Sequence, residues 1–164
     1  MANSLIIERA KNRIIRDLIK DREIILGIDA SEVSPDEPEK LIGRNIFDYH
    51  FIPETITRTD TFLTLQIQIP YSRGFNDKTY VHPRVEIWIV SHWRHMIVEN
   101  IPKIRVNRND YLSMLIDDRL NGRTDLGLGK LDLIQNIEGC TYTDYVYRQL
   151  IFETLDLNNS LCEE

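Results

Sequence analysis

Two histidines three residues apart, His92 and His95 in SHWRH, are the first residues whose types could do chemistry. Imidazoles at such spacing can hold a zinc ion when further ligands complete the set. Here no third ligand is evident, the pair falls at the end of a strand-like run, and Trp93 and Arg94 intervene. No metal is expected. The run PDEPEK (35–40) offers an acidic residue and a Glu-x-Lys of the kind that metal-dependent nucleases use. Such carboxylates must be held on rigid strands to position a divalent ion. Two prolines and no strand pattern make this a solvated loop instead. Asp117 and Asp118 suggest a carboxylate pair for acid–base work, but adjacent helix positions point about 100° apart and cannot face one substrate together. GLGK (127–130) lacks the rest of a G-x-x-x-x-G-K-[ST] phosphate loop. Its glycines read as permitting a bulge or close strand packing. Ser113 and Ser160 have no local base. Cys140 and Cys162 have no metal-type spacing and read as reduced thiols of a cytoplasmic protein, with a single disulfide as the alternative. The chain is therefore read as a building block without catalytic residues or cofactor.

Composition agrees with a globular domain. The chain has 164 residues, 42% hydrophobic and 28% charged, long enough for one domain with a real core. The net charge of −6 argues against a general nucleic-acid binder, though it suits a wall that DNA slides past. Charges interrupt every apolar run near the N-terminus, so no signal peptide is read there. No run approaches the roughly 20 apolar residues needed to span a bilayer, and no membrane partner is expected.

The elements that would position any site follow from periodicity. Residues 4–26 place Ile7, Ala10, Ile14, Ile15, Leu18 and Ile19 at helical spacing, with basic residues on the other face and Gly27 marking the end. This is an amphipathic helix packed on a sheet; the alternative is a basic face that touches DNA or an acidic neighbour. Residues 29–60 read as an extended arm broken by Pro35, Pro38 and Pro53. FLTLQIQIP (62–70) alternates as a half-buried strand and VHPRVEIWIVSHW (81–93) returns, making a long antiparallel hairpin with an extended tip. Pro83 implies an edge position or a bulge at the start of the second strand. A central helix follows, capped by Asn107 or Asn109, with Leu112, Leu115, Ile116 and Leu120 as its stripe and Asn121-Gly122 as its stop. Strands at 127–134 and 145–157 complete the sheet, and 158–164 form a flexible tail. The fold expected is α+β: a single domain whose antiparallel sheet, with its long hairpin, is packed by an N-terminal and a central amphipathic helix.

What remains is surface. The closing strand is apolar on both parities, which suggests that one face is covered by another chain. The patch IFDYHFI (46–52) looks pinned to the domain or to a neighbouring subunit. Aromatic side chains bury much area with few rotors and serve cores and interfaces alike. The residues read as a candidate interface are Phe47, Tyr49 and Phe51 of the arm, Gln66 and Gln68 of the hairpin strand, Arg73, Phe75, Asp77 and Lys78 of its tip, and Tyr145 and Tyr147 of the closing strand.

The stretch from 86 to 157, with EIWIVSHW, then RNDYLSMLIDDRLNG, then LGLGKLDL, then YRQLIFETLDLN, resembles the tail-completion proteins of tailed bacteriophages. The likeness lies in hydrophobic pattern and order and covers a little under half of the chain. The resemblance implies a small α+β virion subunit, a tail terminator that assembles as a ring, commonly a hexamer. Such a ring caps the tail tube, joins the neck and connector proteins, and lets genomic DNA pass through its lumen without specific binding. It would be made in the host cytoplasm and end in the virion. The acidic arm departs from the shortest members of that family, and a connector or stopper ring is the alternative. A binding adaptor or a small phage enzyme is the rival outside that class.

Overall fold

Alternation decides the sheet. In the computed structural model, which describes residues 3–50, 58–69, 71–73, 79–141 and 144–154, Leu63, Leu65 and Ile67 point one way from β2 (Thr61–Gln68). Val85, Ile87 and Ile89 do the same from β5 (Arg84–His92), and Leu150 and Phe152 from β7 (Tyr145–Thr154). The three strands pair antiparallel, Leu65 opposite Ile87 and Ile87 opposite Leu150, so their apolar residues share a face. Around them β1 (Ile46–Phe47) runs parallel to β2, and β6 (Leu131–Cys140) lies outside β7. The order is β1-β2-β5-β7-β6, and the hairpin extends into a separate two-stranded ladder of β3 (Tyr71–Arg73) with β4 (Thr79–Val81). This is an α+β fold whose sheet is antiparallel except at β1.

Helices cover the aliphatic face. Helix α1 (Asn3–Leu18) buries Ala10, Ile14, Ile15 and Leu18 against it. Helix α3 (Arg108–Leu120) buries Leu112, Ile116 and Leu120. Leu115, expected in that stripe, is only partly buried, because α3 also turns Tyr111 and Ser113 inward and rotates its buried face away. Asn107 caps α3 as expected, accepting from the Asp110 amide at 2.8 Å, and Gly122 supplies the left-handed stop at φ 78°.

Four expectations need correction. The N-terminal helix is two helices: the chain turns after Leu18 and restarts as α2 (Arg22–Ile28), because Asp21 Oδ1 accepts from the amides of Glu23 (3.0 Å) and Ile24 (3.4 Å). Apolar spacing ran through this break and hid it. Gly27 does not end the helix. It lies where α2 meets α3, and a Cβ there would come 2.7 Å from Leu112 Cδ2. Pro83 marks neither an edge nor a bulge: β5 is an interior strand, and Pro83 sits just before it, where its carbonyl accepts from Thr154 N. The last hairpin also starts later than read. Gly127 (φ 74°) and Gly129 (φ 91°) turn the chain ahead of β6, which runs on to Cys140 with a bulge between Leu133 and Gln135.

The arm is docked at Leu41 and from Asn45 to Phe47, while 34–37 and 42–44 are exposed. A 3-10 turn at Pro38–Leu41 buries Leu41, and buried Asn45 holds β2 from both ends, donating from Nδ2 to Thr61 O and accepting Leu63 N on its own carbonyl. Residues 51–57, 74–78 and 155–164 lie outside the described residues.

Candidate functional site

The polar side chains with reactive groups converge between the helices and one end of the sheet. Asp29 closes α2 in a left-handed conformation (φ 49°). Its Oδ2 is 3.5 Å from His95 Nε2 and 3.2 Å from Arg108 Nη2. On its other side His95 Nδ1 is 2.9 Å from Thr61 Oγ1, and Thr61 Oγ1 is 2.8 Å from Ser91 Oγ, its partner across β2 and β5. The line Asp29–His95–Thr61 imitates a carboxylate–imidazole–hydroxyl relay.

The direction of the protons argues against that chemistry. Asn109 Nδ2 donates to Val146 O, so its Oδ1 accepts the Ser91 hydroxyl at 2.6 Å. Ser91, having one proton, then accepts from Thr61, which places a proton on His95 Nδ1; the neutral ring in that tautomer turns a bare Nε2 toward Asp29, and only the imidazolium donates to both neighbours. A nucleophile hands its proton to the imidazole; here the imidazole hands one to the hydroxyl. Thr61 and Ser91 are also 0% exposed, so no substrate reaches them.

The arrangement works as a clamp. Arg108, 1% exposed, donates to Gly27 O (2.7 Å), His95 O (2.6 Å) and Ile97 O (3.0 Å) besides Asp29. Burial lowers the Arg108 pKa against the pull of Asp29. His95 is likewise lowered, first by burial and then by the Arg108 charge, with Asp29 and Asp60 opposing. His92 does separate work: its Nδ1 accepts from Arg94 N and caps a short 3-10 turn. Among the described residues no group of histidine, cysteine, aspartate or glutamate is placed to hold a metal.

The other face of the sheet is built from rings. Phe47, Phe62, Val90 and Tyr145 form a second buried cluster, with Trp88 and Tyr147 packed against it. Trp88 and Tyr147 lie with centroids 4.8 Å apart, and His50 meets Trp88 edge-on at 5.1 Å. The Tyr145 hydroxyl donates to Arg58 O at 3.0 Å, and its pKa is raised by burial. Tyr147 lies over Gly139 of β6, where a Cβ would meet its ring. The chain's own aromatic side chains thus cover much of the second face of β7, and a second chain is not needed to explain its apolar pattern. Four buried polar atoms on this side have no hydrogen-bond partner: Thr64 Oγ1, Trp88 Nε1, His50 Nδ1 and Arg84 Nε.

The interface residues read from sequence are divided by this geometry. Phe47 and Tyr145 are buried in the aromatic cluster, and Tyr147 is half-buried beside it. Tyr49 is 54% exposed and packs edge-on against Phe47. Gln66 is half-buried and Gln68 exposed, opposite Glu86 and Arg84 on the ring-bearing face. Arg73 is placed in β3 by its backbone alone; Phe51, Phe75, Asp77 and Lys78 lie outside the described residues. The basic face of α1 is partly answered within the chain: Arg13 pairs with Asp125 at 2.6 Å, and Asp17 with Arg123 at 2.6 Å. Sequence reasoning missed the Arg108 clamp. Its only local signal was an arginine at the first turn of a helix, where the helix dipole disfavours a cation.

The YomW family model matches residues 12–154. No curated protein matches the chain. A chain in the solved structure "Virion of native gene transfer agent (GTA) particle" is similar, at 12% identity over 68% of this chain and 77% of that chain, with a TM-score of 0.44.

Proposed function

We infer that this chain, which belongs to the YomW family, is a structural subunit of a phage-type virion and not an enzyme. In this reading it assembles as a ring at the junction of tail and neck, as a tail terminator does, with the tail tube and connector proteins as neighbours. DNA passes the ring without specific contacts. The observation that supports the non-catalytic part is the burial of the network's hydroxyls, Thr61 and Ser91 both being 0% exposed. The residues best suited to chemistry are spent holding α2, α3 and β5 together, with the hydroxyls sealed. The assembly part is supported by the resemblance of residues 86–157 to tail-completion proteins. It is also supported by what the chain leaves outside: exposed Tyr49, Trp93, Ile97, Ile134 and Ile137.

A heterologous contact, one patch against a different patch on the next copy, gives a ring where the rotation between copies closes and a filament where it does not. A stopper or connector ring is the second reading within the same class. Native mass spectrometry and negative-stain electron microscopy of the purified protein test the proposal. A closed oligomer with a central hole is expected. A protein that stays monomeric at all concentrations would move the assignment to a binding adaptor.

A further inference from the structure

The two edges of the sheet differ in kind. On one side β1 pairs with only Leu63 and Thr64 of β2. Beyond them no described strand pairs with the outer side of Leu65–Gln68. On the other side the start of β6 is held by the turn after α3, with Leu131 bonded to Gly122 N and Arg123 O and Leu133 N to Asn121 Oδ1, while from Gln135 to Cys140 no strand lies beyond it among the described residues. Long open edges are normally blunted by charged side chains, above all lysine, by proline, by a bulge or by shortness; β6 has its bulge at Leu133/Gln135, ahead of the open part, and one charge, Glu138, within it. β6 contains no lysine and no proline, and Ile134 and Ile137 are 47% and 43% exposed.

Strand direction gives these edges a relation to each other. β2 is antiparallel to β5, β5 to β7, and β7 to β6. β2 and β7 therefore run one way, β5 and β6 the other. A second copy turned about an axis lying along the strands would bring its β2 antiparallel to β6, continuing the alternation. The side chains allow it. The acidic residues of β6 are Asp132 and Glu138, and Leu65–Gln68 carries no charge, so no like charges meet.

We propose that β6 of one copy pairs antiparallel with Leu65–Gln68 of the next, so that the sheet runs on from subunit to subunit. This rests on the ring reading and deepens it by naming the joint. Ile134 and Ile137 are then covered, and Tyr147, packed over Gly139, lies beside the seam. Gln66 and Gln68 contribute backbone as well as side chain.

Proline substitution tests the joint. Neighbouring residues of an antiparallel strand point their N–H groups to opposite sides, so of Asn136→Pro and Ile137→Pro one breaks the ladder to β7 and the other blocks only the open edge. Thermal unfolding tells which variant keeps the fold, and that variant is carried forward. Wild-type and variant full-length proteins are compared by native mass spectrometry over rising concentration. Amide hydrogen exchange is followed in the assembled wild type. The expected result is a ring for wild type, monomer for the folded variant, and new protection on assembly at both 135–140 and 65–68. Rings from the folded variant would overturn the joint and leave the ring reading standing. Protection at 135–140 without 65–68 would mean β6 meets β6, which also overturns it. A monomeric wild type removes the ring reading, and the joint with it.

Discussion

The two faces of the sheet solve the same burial problem with different materials. Under the helices, aliphatic side chains fill the space, and Arg108–Asp29 and Thr61–Ser91–Asn109 are hydrogen-bonded on either side of His95. On the opposite face rings do the covering, and the Thr64, Trp88 and His50 polar atoms are left without partners. Buried polar networks specify a structure when complete, and each orphan costs stability. The first face keeps orphans too, at Asp117 Oδ1 and Arg148 Nε, beside its bonded network. The second buries its apolar area with rings instead of helices, and the open edges at β6 and Leu65–Gln68 belong to both faces, so assembly is sought at those edges.

A substitution in the bonded network and one at an orphan should differ in sign. The largest effect is expected from Arg108→Met. It leaves Asp29 without its guanidinium and strips the Gly27, His95 and Ile97 carbonyls of a donor. Asp29 is 41% exposed and can be hydrated, so a loss of about 3 kcal/mol, the low end for a buried charged pair, should show as a lower midpoint in urea unfolding. An unchanged midpoint would mean that the clamp adds nothing. Thr64→Val on the ring-bearing face should act in the opposite direction. It keeps the shape and removes an orphaned hydroxyl, so the midpoint should rise by roughly 1 kcal/mol. A destabilised variant would show that the hydroxyl has a partner in solution, such as a bound water, and would weaken the contrast between the faces.

The smallest effect is one of pH. His95 has a folded pKa below its ordinary 6.5, from burial and the Arg108 charge. The unfolded chain then binds the proton more readily. The associated stability is fully present above about pH 6.5 and is lost as pH falls from there through the folded value. Urea midpoints at pH 7.5 and 5.5 should differ in that direction. His95→Gln, which can still donate to Thr61, should reduce the difference. A variant with the same pH slope as wild type would assign the slope to other groups.

The parts that could be read from sequence are those whose causes are local. The alternation of Leu63, Leu65 and Ile67, the Asn107 cap and the Gly122 stop each depend on a few neighbouring residues, and all are where expected. The break before Asp21 escaped because Ile24 and Ile25 continue the apolar period across it, so pattern outvoted cap chemistry. β6 was placed too early because leucines alternate through 126–133, while the glycine dihedrals that turn the chain there have no apolar signature. For the candidate surface, residue type identified aromatics but could not divide Phe47 and Tyr145, which support the face, from Tyr49, which shows on it. The clamp was out of reach altogether. Asp29 and Arg108 are 79 positions apart, and nothing near either one names the other.

That separation has a consequence in time. Chains are made N-terminus first, at about 5–20 residues per second. α2 has seven residues, too few for a helix that stands alone in water. It leaves the ribosome several seconds before α3 exists to receive Gly27, and before Arg108 exists to hold Asp29. The first third of the chain must therefore wait as an unpartnered, isoleucine-rich segment until its later half emerges. During that wait, α1's charged side is the part that keeps it soluble.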